Sequence, residues 1–204
     1  ERLAGSENQF MGVVVNIPDH FQYFSWMRES QERILVPNQL TPETSAALLF
    51  NLLWWVLGRV EALTGLSYVT LYQLTRLAAG AFTMVAIFWF CGLVFKSRAK
   101  RWTAFFVGVL SSGLGWVMIV IKYLTDAADA PYPFTIYTSE PNSFYTIMGF
   151  PHFTIATGLI TAVFGMVLLA QRTGRLRYAW YGAIICLILT LQHSYDFFTI
   201  CGVI

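Results

Sequence analysis

Few residues of this chain have side chains that could do chemistry, and they fall in polar stretches between long apolar runs. Asp19 follows Asn16, Ile17 and Pro18, and a carboxylate at such a place can take a proton from a hydroxyl or an amine. An acid in the first turn of a helix also complements the positive end of the helix dipole. The sequence alone leaves the catalytic and the helix-start interpretations of Asp19 both open.

A second set of ionisable residues lies in the later part of the chain. His193 and Asp196 fall beside an apolar segment, where ionisable residues are costly and usually face a polar cavity or a partner. His152 follows Pro151, and a neutral imidazole there can form a hydrogen bond to a ligand. Glu140 belongs to the polar stretch before it. We expect these four residues to bind a substrate, although a loop acid and an interfacial histidine are ordinary alternatives for Glu140 and His152.

Two further substrate-binding residues are predicted from side-chain type and helical spacing. Tyr23 shares a helix face with Asp19, and such a face can bind a sugar or anchor the helix at the membrane surface. Arg76 can receive a phosphate, pair with an acid, or extend to the interface. The histidines and scattered acids lack the spacing of a metal site, so none is predicted. No cofactor is expected, but a divalent cation held by carboxylates and a phosphate stays open.

The composition indicates an integral membrane protein. Of 204 residues, 56% are hydrophobic and 12% are charged, whereas about 25% of the residues in a soluble domain are charged. The formal charge is only +2, so no nucleic-acid partner is predicted. The chain is expected to be part of a longer polytopic protein, with at least one helix before residue 1.

Long uncharged runs predict membrane-spanning helices, since a helix needs about 20 apolar residues to cross a bilayer. We expect four crossings, at residues 68–95, 102–123, 153–171 and 178–204. The links at 96–101 and 172–177 are short and basic, whereas residues 125–152 include no Lys or Arg. The positive-inside rule therefore puts the basic links in the cytoplasm and the long acidic link outside.

Residues 16–63 are predicted to form an outer juxtamembrane segment. Asn16–Asp19 is typical of a helix start, and the stretch that follows mixes aromatic and charged residues, as in a helix that lies on the membrane surface. Ala46–Leu57 is too short to span, and if it crossed, Asp19 and Glu140 would lie on opposite sides. With an interfacial Ala46–Leu57, the candidate acids and histidines are expected to meet in one extracytoplasmic pocket.

The order of these features resembles the start of the GT-C membrane glycosyltransferases, in particular a bacterial branch that is similar to protein mannosyltransferases and aminoarabinose transferases. The resemblance covers about residues 16–116 and depends on Asp19-x-x-x-Tyr23, a Pro-containing loop, an amphipathic stretch to Leu63, Gly65-Leu-Ser67, Arg76, and a spanning helix that ends at Lys96–Arg101. Later patterns are similar to those of uncharacterised bacterial members: Glu140-Pro-x-x-Phe144, Pro151-His152-Phe153 and His193-x-Tyr195-Asp196.

This resemblance implies an all-α integral membrane fold, a polytopic helical bundle with juxtamembrane helices in its first extracytoplasmic loop. It also implies a polyprenyl-phosphate-linked sugar as donor, membrane lipid as surroundings, and an acceptor of unknown identity outside a bacterial inner membrane. Asp19 would be the catalytic base for inverting attack on the sugar. One departure is that His20 stands where many relatives have a second acid.

Two other classes of function remain as alternatives. A secondary transporter could use His193, Asp196 and Arg76 as a proton or ion relay. Transporters usually place such groups near the bilayer midplane and have internal repeats, whereas here the residues are expected at one rim and no repeat is visible. The enzyme is therefore favoured over the transporter. A non-catalytic scaffold or assembly subunit would tolerate the loss of every acid named above.

Overall fold

The computed structural model describes residues 12–13, 16–38, 43, 45–113, 115–125, 132, 138–139 and 142–204. These residues are 77% helical and include no strand. Their helices are α1 Ile17–Glu29, α2 Leu52–Thr64, α3 Tyr68–Val94, α4 Arg98–Leu110, α5 Gly115–Leu124, α6 Ser143–Gly149, α7 Pro151–Thr173, α8 Leu176–Gln192 and α9 Tyr195–Val203. The chain divides into two compact units, Glu1–Thr75 and Arg76–Ile204, and each is described by itself.

The first unit begins its helical part at the predicted start. Asn16 precedes α1 in the left-handed conformation, with φ 53° and ψ 45°, which Asn adopts more readily than most residues. Its side chain does not cap the helix by accepting a backbone hydrogen bond. Instead, the Asn16 amide donates to the carboxylate of Asp19. The predicted helix start is confirmed, but Asn16 orients the acid rather than capping the helix.

The second helix is too short to cross a bilayer. Asn51 caps it, because its side-chain oxygen accepts hydrogen bonds from the backbone N–H of Leu53 at 3.1 Å and of Trp54 at 3.3 Å. Gly65 ends the helix with φ 69°, a conformation that glycine adopts without strain. Thirteen residues at about 1.5 Å per residue reach about 20 Å, short of the roughly 30 Å of hydrocarbon. This length agrees with the interfacial interpretation of Ala46–Leu57.

An aromatic core holds the first unit together. The ring of Trp54 stacks on Tyr23, with the ring centroids 4.8 Å apart, and on Tyr72 at 6.3 Å. Helix α2 approaches α1 closely at Gly58, where an added Cβ would lie 2.3 Å from the carbonyl oxygen of Met27. Because that oxygen belongs to the backbone, only glycine fits at position 58 without moving α1.

Two helices are long and apolar enough to cross a membrane, and a third span is possible from a bent pair. The two are α3, with 27 residues, and α7, with 23 residues. They coincide with the crossings expected at 68–95 and 153–171. In the region of the fourth expected crossing, α8 has 17 residues and ends at Gln192, and α9 follows after a break.

The bent pair replaces the continuous helix expected at 102–123. Helix α4 ends at Leu110, α5 begins at Gly115, and the two helices are bent by 64°. Gly113 has φ 66°, which takes the backbone out of the helical region. Gly113 therefore lies in a break between two helices and not inside one continuous helix.

Small residues bring α3 and α7 close together within the second unit. The hydroxyl of Thr83 donates to the carbonyl oxygen of Thr154 at 2.6 Å. An added Cβ at Gly158 would lie 2.5 Å from the ring of Phe82, and one at Gly165 would lie 2.2 Å from the ring of Trp89. This packing of small residues against large ones is typical of helices that associate in membranes.

Candidate functional site

The break between α8 and α9 forms the centre of the candidate site in the second unit. His193 ends α8, with its backbone N–H donating to the carbonyl oxygen of Leu189. Its Nδ1 lies 2.5 Å from the Oδ2 of Asp196, and its Nε2 lies 2.6 Å from the hydroxyl of Tyr195. Because an ionised carboxylate only accepts hydrogen bonds, Nδ1 carries the proton and donates to Asp196. In the neutral ring, Nε2 then accepts from the hydroxyl of Tyr195.

These three residues form a hydrogen-bonded relay that runs from the interior to the surface. His193 is 8% exposed and the Asp196 side chain is 15% exposed, whereas Tyr195 is 55% exposed. A carboxylate that fixes the tautomer of an imidazole prepares the other ring nitrogen to accept a proton. The relay can therefore take a proton from an exposed hydroxyl, or return one to it.

His152 lies next to the relay at the start of α7. Its buried ring has its centroid 6.2 Å from that of His193, and the ring of Phe153 meets His193 edge to face at 5.1 Å. The side-chain amide of Gln192 donates to the carbonyl oxygen of His152 at 2.8 Å and so joins the end of α8 to the start of α7. The structure thus brings together His152, His193 and Asp196, which sequence reasoning had placed on one side of the membrane.

Arg76 has a partner that the sequence did not indicate. Its Nη1 donates to the carbonyl oxygen of Met148 at 2.9 Å, in the last turn of α6. A guanidinium there complements the negative end of the helix dipole. Arginine has five N–H donors, so this one contact does not exhaust its capacity to bind an anion. The ammonium group of Lys122, a second cation of this unit, lies 4.3 Å from the ring centroid of Tyr132.

Asp19 and Tyr23 belong to the first unit and have different surroundings. Asp19 is partly exposed on the first turn of α1, where its carboxylate accepts from the Asn16 amide. Tyr23 is largely buried, and its ring stacks on Trp54 in the aromatic core. The catalytic role of Asp19 and the substrate-binding role of Tyr23 stay predictions, as does the expected shared pocket. Glu140 lies outside the described residues.

His20 is a buried polar residue that entered the sequence analysis only as a departure from the family pattern. Its Nδ1 donates to the carbonyl oxygen of Asn16 at 3.0 Å, and its Nε2 lies 2.8 Å from the hydroxyl of Tyr72. Tyr72 is 52 positions away in the sequence, so no local pattern pairs the two residues. Tyr195 was also missed as a site residue, although its place two residues after a histidine and directly before an acid was a usable signal.

Comparisons of the chain with protein-family models, with curated proteins and with solved structures find no match. The resemblance to GT-C glycosyltransferases therefore depends on the ordered sequence features alone. Within the described residues, no group of three or more His, Cys, Asp and Glu side chains could hold a metal ion.

Proposed function

We propose that this chain is part of a membrane glycosyltransferase that moves a sugar from a polyprenyl-phosphate donor to an acceptor outside the cytoplasm. The observation that carries the proposal is the setting of Asp19. Its carboxylate is partly exposed, is held by Asn16, and lies on the first turn of a helix of only 13 residues. The membrane-length helix α3 follows later in the chain. A lipid-linked donor requires a catalytic acid at such a boundary, since its tail lies in the bilayer and its head in water.

The proposed reaction is a single displacement at the anomeric carbon. The acceptor O–H or N–H gives its proton to the Asp19 carboxylate as the acceptor atom forms its bond to the sugar. The bond from the sugar to the phosphate oxygen breaks at the same time, and the polyprenyl phosphate leaves with the electron pair. Cations stabilise such a leaving group, and this is the kind of substrate-binding role that the sequence predicts for Arg76. Attack from the side opposite the phosphate inverts the configuration of the sugar.

The proposal places this chemistry at the outer face of a bacterial inner membrane. The two basic links then lie in the cytoplasm, as the positive-inside rule requires. Exposed apolar side chains in the first unit support contact with lipid, among them Phe21, Ile34 and Leu48. Such residues on a segment that cannot span are typical of structure that lies in the interface.

The deciding experiment measures transfer of labelled sugar from a panel of polyprenyl-phosphate donors by the full-length protein. Asp19→Asn removes the base and is expected to lower turnover by about 100- to 10,000-fold while leaving the thermal stability in detergent unchanged. Glu32→Gln removes an exposed acid of the same unit and serves as the matched control, with normal turnover. Near-normal turnover by Asp19→Asn would remove Asp19 from the mechanism.

A proton-coupled transporter is the second candidate, and one observation favours it. The relay of Tyr195, His193 and Asp196 lies where α8 breaks and α9 begins, and broken helices carry the ion sites of many transporters. Substrate uptake into proteoliposomes under a proton gradient tests this function. Uptake that is lost in Asp196→Asn, with no sugar transfer by the wild-type protein, would place the transporter ahead of the enzyme.

A further inference from the structure

A second charged surface lies apart from the candidate site, on the two short links of the second unit. The first link has four bases and the second has three, and neither link has an acid. We call this set the basic surface, and it consists of Lys96, Arg98, Lys100, Arg101, Arg172, Arg175 and Arg177. All of these residues are exposed except Arg101, which is partly buried.

The fold brings one guanidinium from each link to the last turn of α3. Nη1 of Arg172 donates to the carbonyl oxygen of Leu93 at 2.5 Å. A Cβ added at Gly92 would lie 3.6 Å from Cζ and Nε of Arg101, so that guanidinium packs directly over the glycine. The free carbonyls at the end of a helix favour positive charge, which accounts for two arginines meeting there.

Arg101 is left with an unused donor at this place. Its Nε is buried, and it has no hydrogen-bond partner among the described residues. Buried donors in folded proteins are rarely left unpaired, because each such group loses its hydration without compensation. The Nε of Arg101 therefore lacks an acceptor that an anionic ligand would supply. The Arg172 guanidinium lies at the same helix end, and the other five bases of the basic surface are exposed.

We propose that the basic surface binds the phosphate headgroup of an anionic membrane phospholipid, with Arg101 and Arg172 as its central ligands. Guanidinium groups bind phosphate oxygens through paired, charge-assisted hydrogen bonds. The links end α3 and α7, the two helices of membrane length, so the bases lie at the level of the headgroups. Exposed aromatic residues follow each link, Trp102 after the first and Trp180 after the second, as is typical of the membrane interface.

The test is native mass spectrometry of the full-length protein in detergent, titrated with phosphatidylglycerol or phosphatidylcholine. Phosphatidylglycerol is expected to stay bound at collision energies that remove phosphatidylcholine. Arg101→Gln is expected to weaken the retention of phosphatidylglycerol at least tenfold. This variant removes no hydrogen bond made by Nε but does remove a positive charge at the end of α3, so its melting temperature without lipid should fall only slightly.

Arg33→Gln is the matched control, because Arg33 is an exposed base of the first unit and lies outside the basic surface. Its retention of phosphatidylglycerol should equal that of the wild-type protein. Equal retention of the two lipids, an Arg101→Gln variant that binds normally, or an equal loss in Arg33→Gln would each overturn the proposal. Displacement of the lipid by millimolar inorganic phosphate would assign the site to free phosphate instead. None of these outcomes depends on sugar transfer.

Discussion

Each unit of the molecule buries an imidazole whose Nε2 contacts a tyrosine hydroxyl. The two arrangements differ in the partner of Nδ1 and in the exposure of the tyrosine. His20 in the first unit and His193 in the second each have a tyrosine oxygen at Nε2, at 2.8 Å and 2.6 Å. The Nδ1 of His20 donates to a backbone carbonyl, whereas that of His193 donates to the carboxylate of Asp196. Tyr72 is 1% exposed, whereas Tyr195 is 55% exposed.

The contrast indicates which of the two imidazoles is better placed to exchange a proton. A carboxylate balances the positive charge that an imidazole gains with a second proton, and a backbone carbonyl, which has no net charge, does so only weakly. The exposed hydroxyl of Tyr195 gives a ligand access to the relay, whereas Tyr72 is enclosed by the aromatic core. His20 thus fastens α1 to α3 within the first unit, whereas a chemical role of His193 stays a prediction.

The largest expected effect comes from replacing each imidazole by a ring without polar atoms. His20→Phe should lower the free energy of unfolding by about 2–4 kcal/mol, because it removes two hydrogen bonds inside the protein and takes the acceptor from a fully buried hydroxyl. His193→Phe should cost less, about 1 kcal/mol, since the side chains of Tyr195 and, in part, Asp196 are exposed. Thermal unfolding of both variants in detergent, followed by circular dichroism, measures the contrast.

The loss of activity should be larger in His193→Phe than in His20→Phe, the opposite of the order expected for stability. His193→Phe is expected to reduce labelled-sugar transfer, or proton-coupled uptake, at least tenfold, whereas folded His20→Phe should retain most of it. The comparison breaks down if His193→Phe unfolds as easily as His20→Phe while its folded fraction works normally. In that case both imidazoles would be structural.

A smaller contrast is expected from removing only the hydroxyl groups. Tyr72→Phe takes a buried hydrogen bond from His20 and should cost about 1–2 kcal/mol of stability. Tyr195→Phe changes an exposed side chain and should alter the free energy of unfolding by less than about 0.5 kcal/mol. Denaturant or thermal titration of the pair, each variant serving as the control for the other, measures this difference. Equal losses would mean that Tyr195 is held as firmly as Tyr72.

The sequence predicted the long elements of this fold better than the breaks between them. The uncharged runs marked α3 and α7, because length and hydropathy alone decide whether a helix can span. The expected crossing at 102–123 is also free of charge at Ser111–Gly113, yet the chain leaves the helical conformation there, after α4. The weak helix-forming residues there, two serines and a glycine, were the available signal, and they were outweighed by the apolar residues on either side.

The candidate site shows the same limit. His193 and Asp196 could be selected because ionisable residues beside an apolar segment are costly. The hydrogen bond between them could not be predicted, because a continuous helix through 178–204 was expected. The bond forms in a break of that helix, where α8 ends at Gln192. His20 was passed over for a different reason. Its partner Tyr72 lies on another helix, and only tertiary packing brings the two side chains together.

The smallest expected effect concerns the residue that contacts both His20 and Asp19. The carbonyl of Asn16 accepts from His20, and its side-chain amide donates to Asp19. Asn16→Gly keeps the carbonyl and the freedom to adopt φ 53°, so it removes the amide donor alone. Stability should therefore stay near the wild-type value, while sugar transfer falls a few-fold because the Asp19 carboxylate loses the group that orients it.

Asn16→Asp tests the same contact from the other direction. It keeps the side-chain size but replaces the donor by a second carboxylate, which repels Asp19, so a larger loss of transfer is expected than with glycine. The variants are ranked by their initial rates of sugar transfer at saturating donor. Glu32→Gln is again the control, and its rate should equal that of the wild-type protein. If Asn16→Gly and Asn16→Asp both turn over like the wild-type protein, the amide is incidental. Sugar transfer would then not depend on how Asp19 is held, and the Asp19→Asn variant alone would decide whether the carboxylate acts as the base.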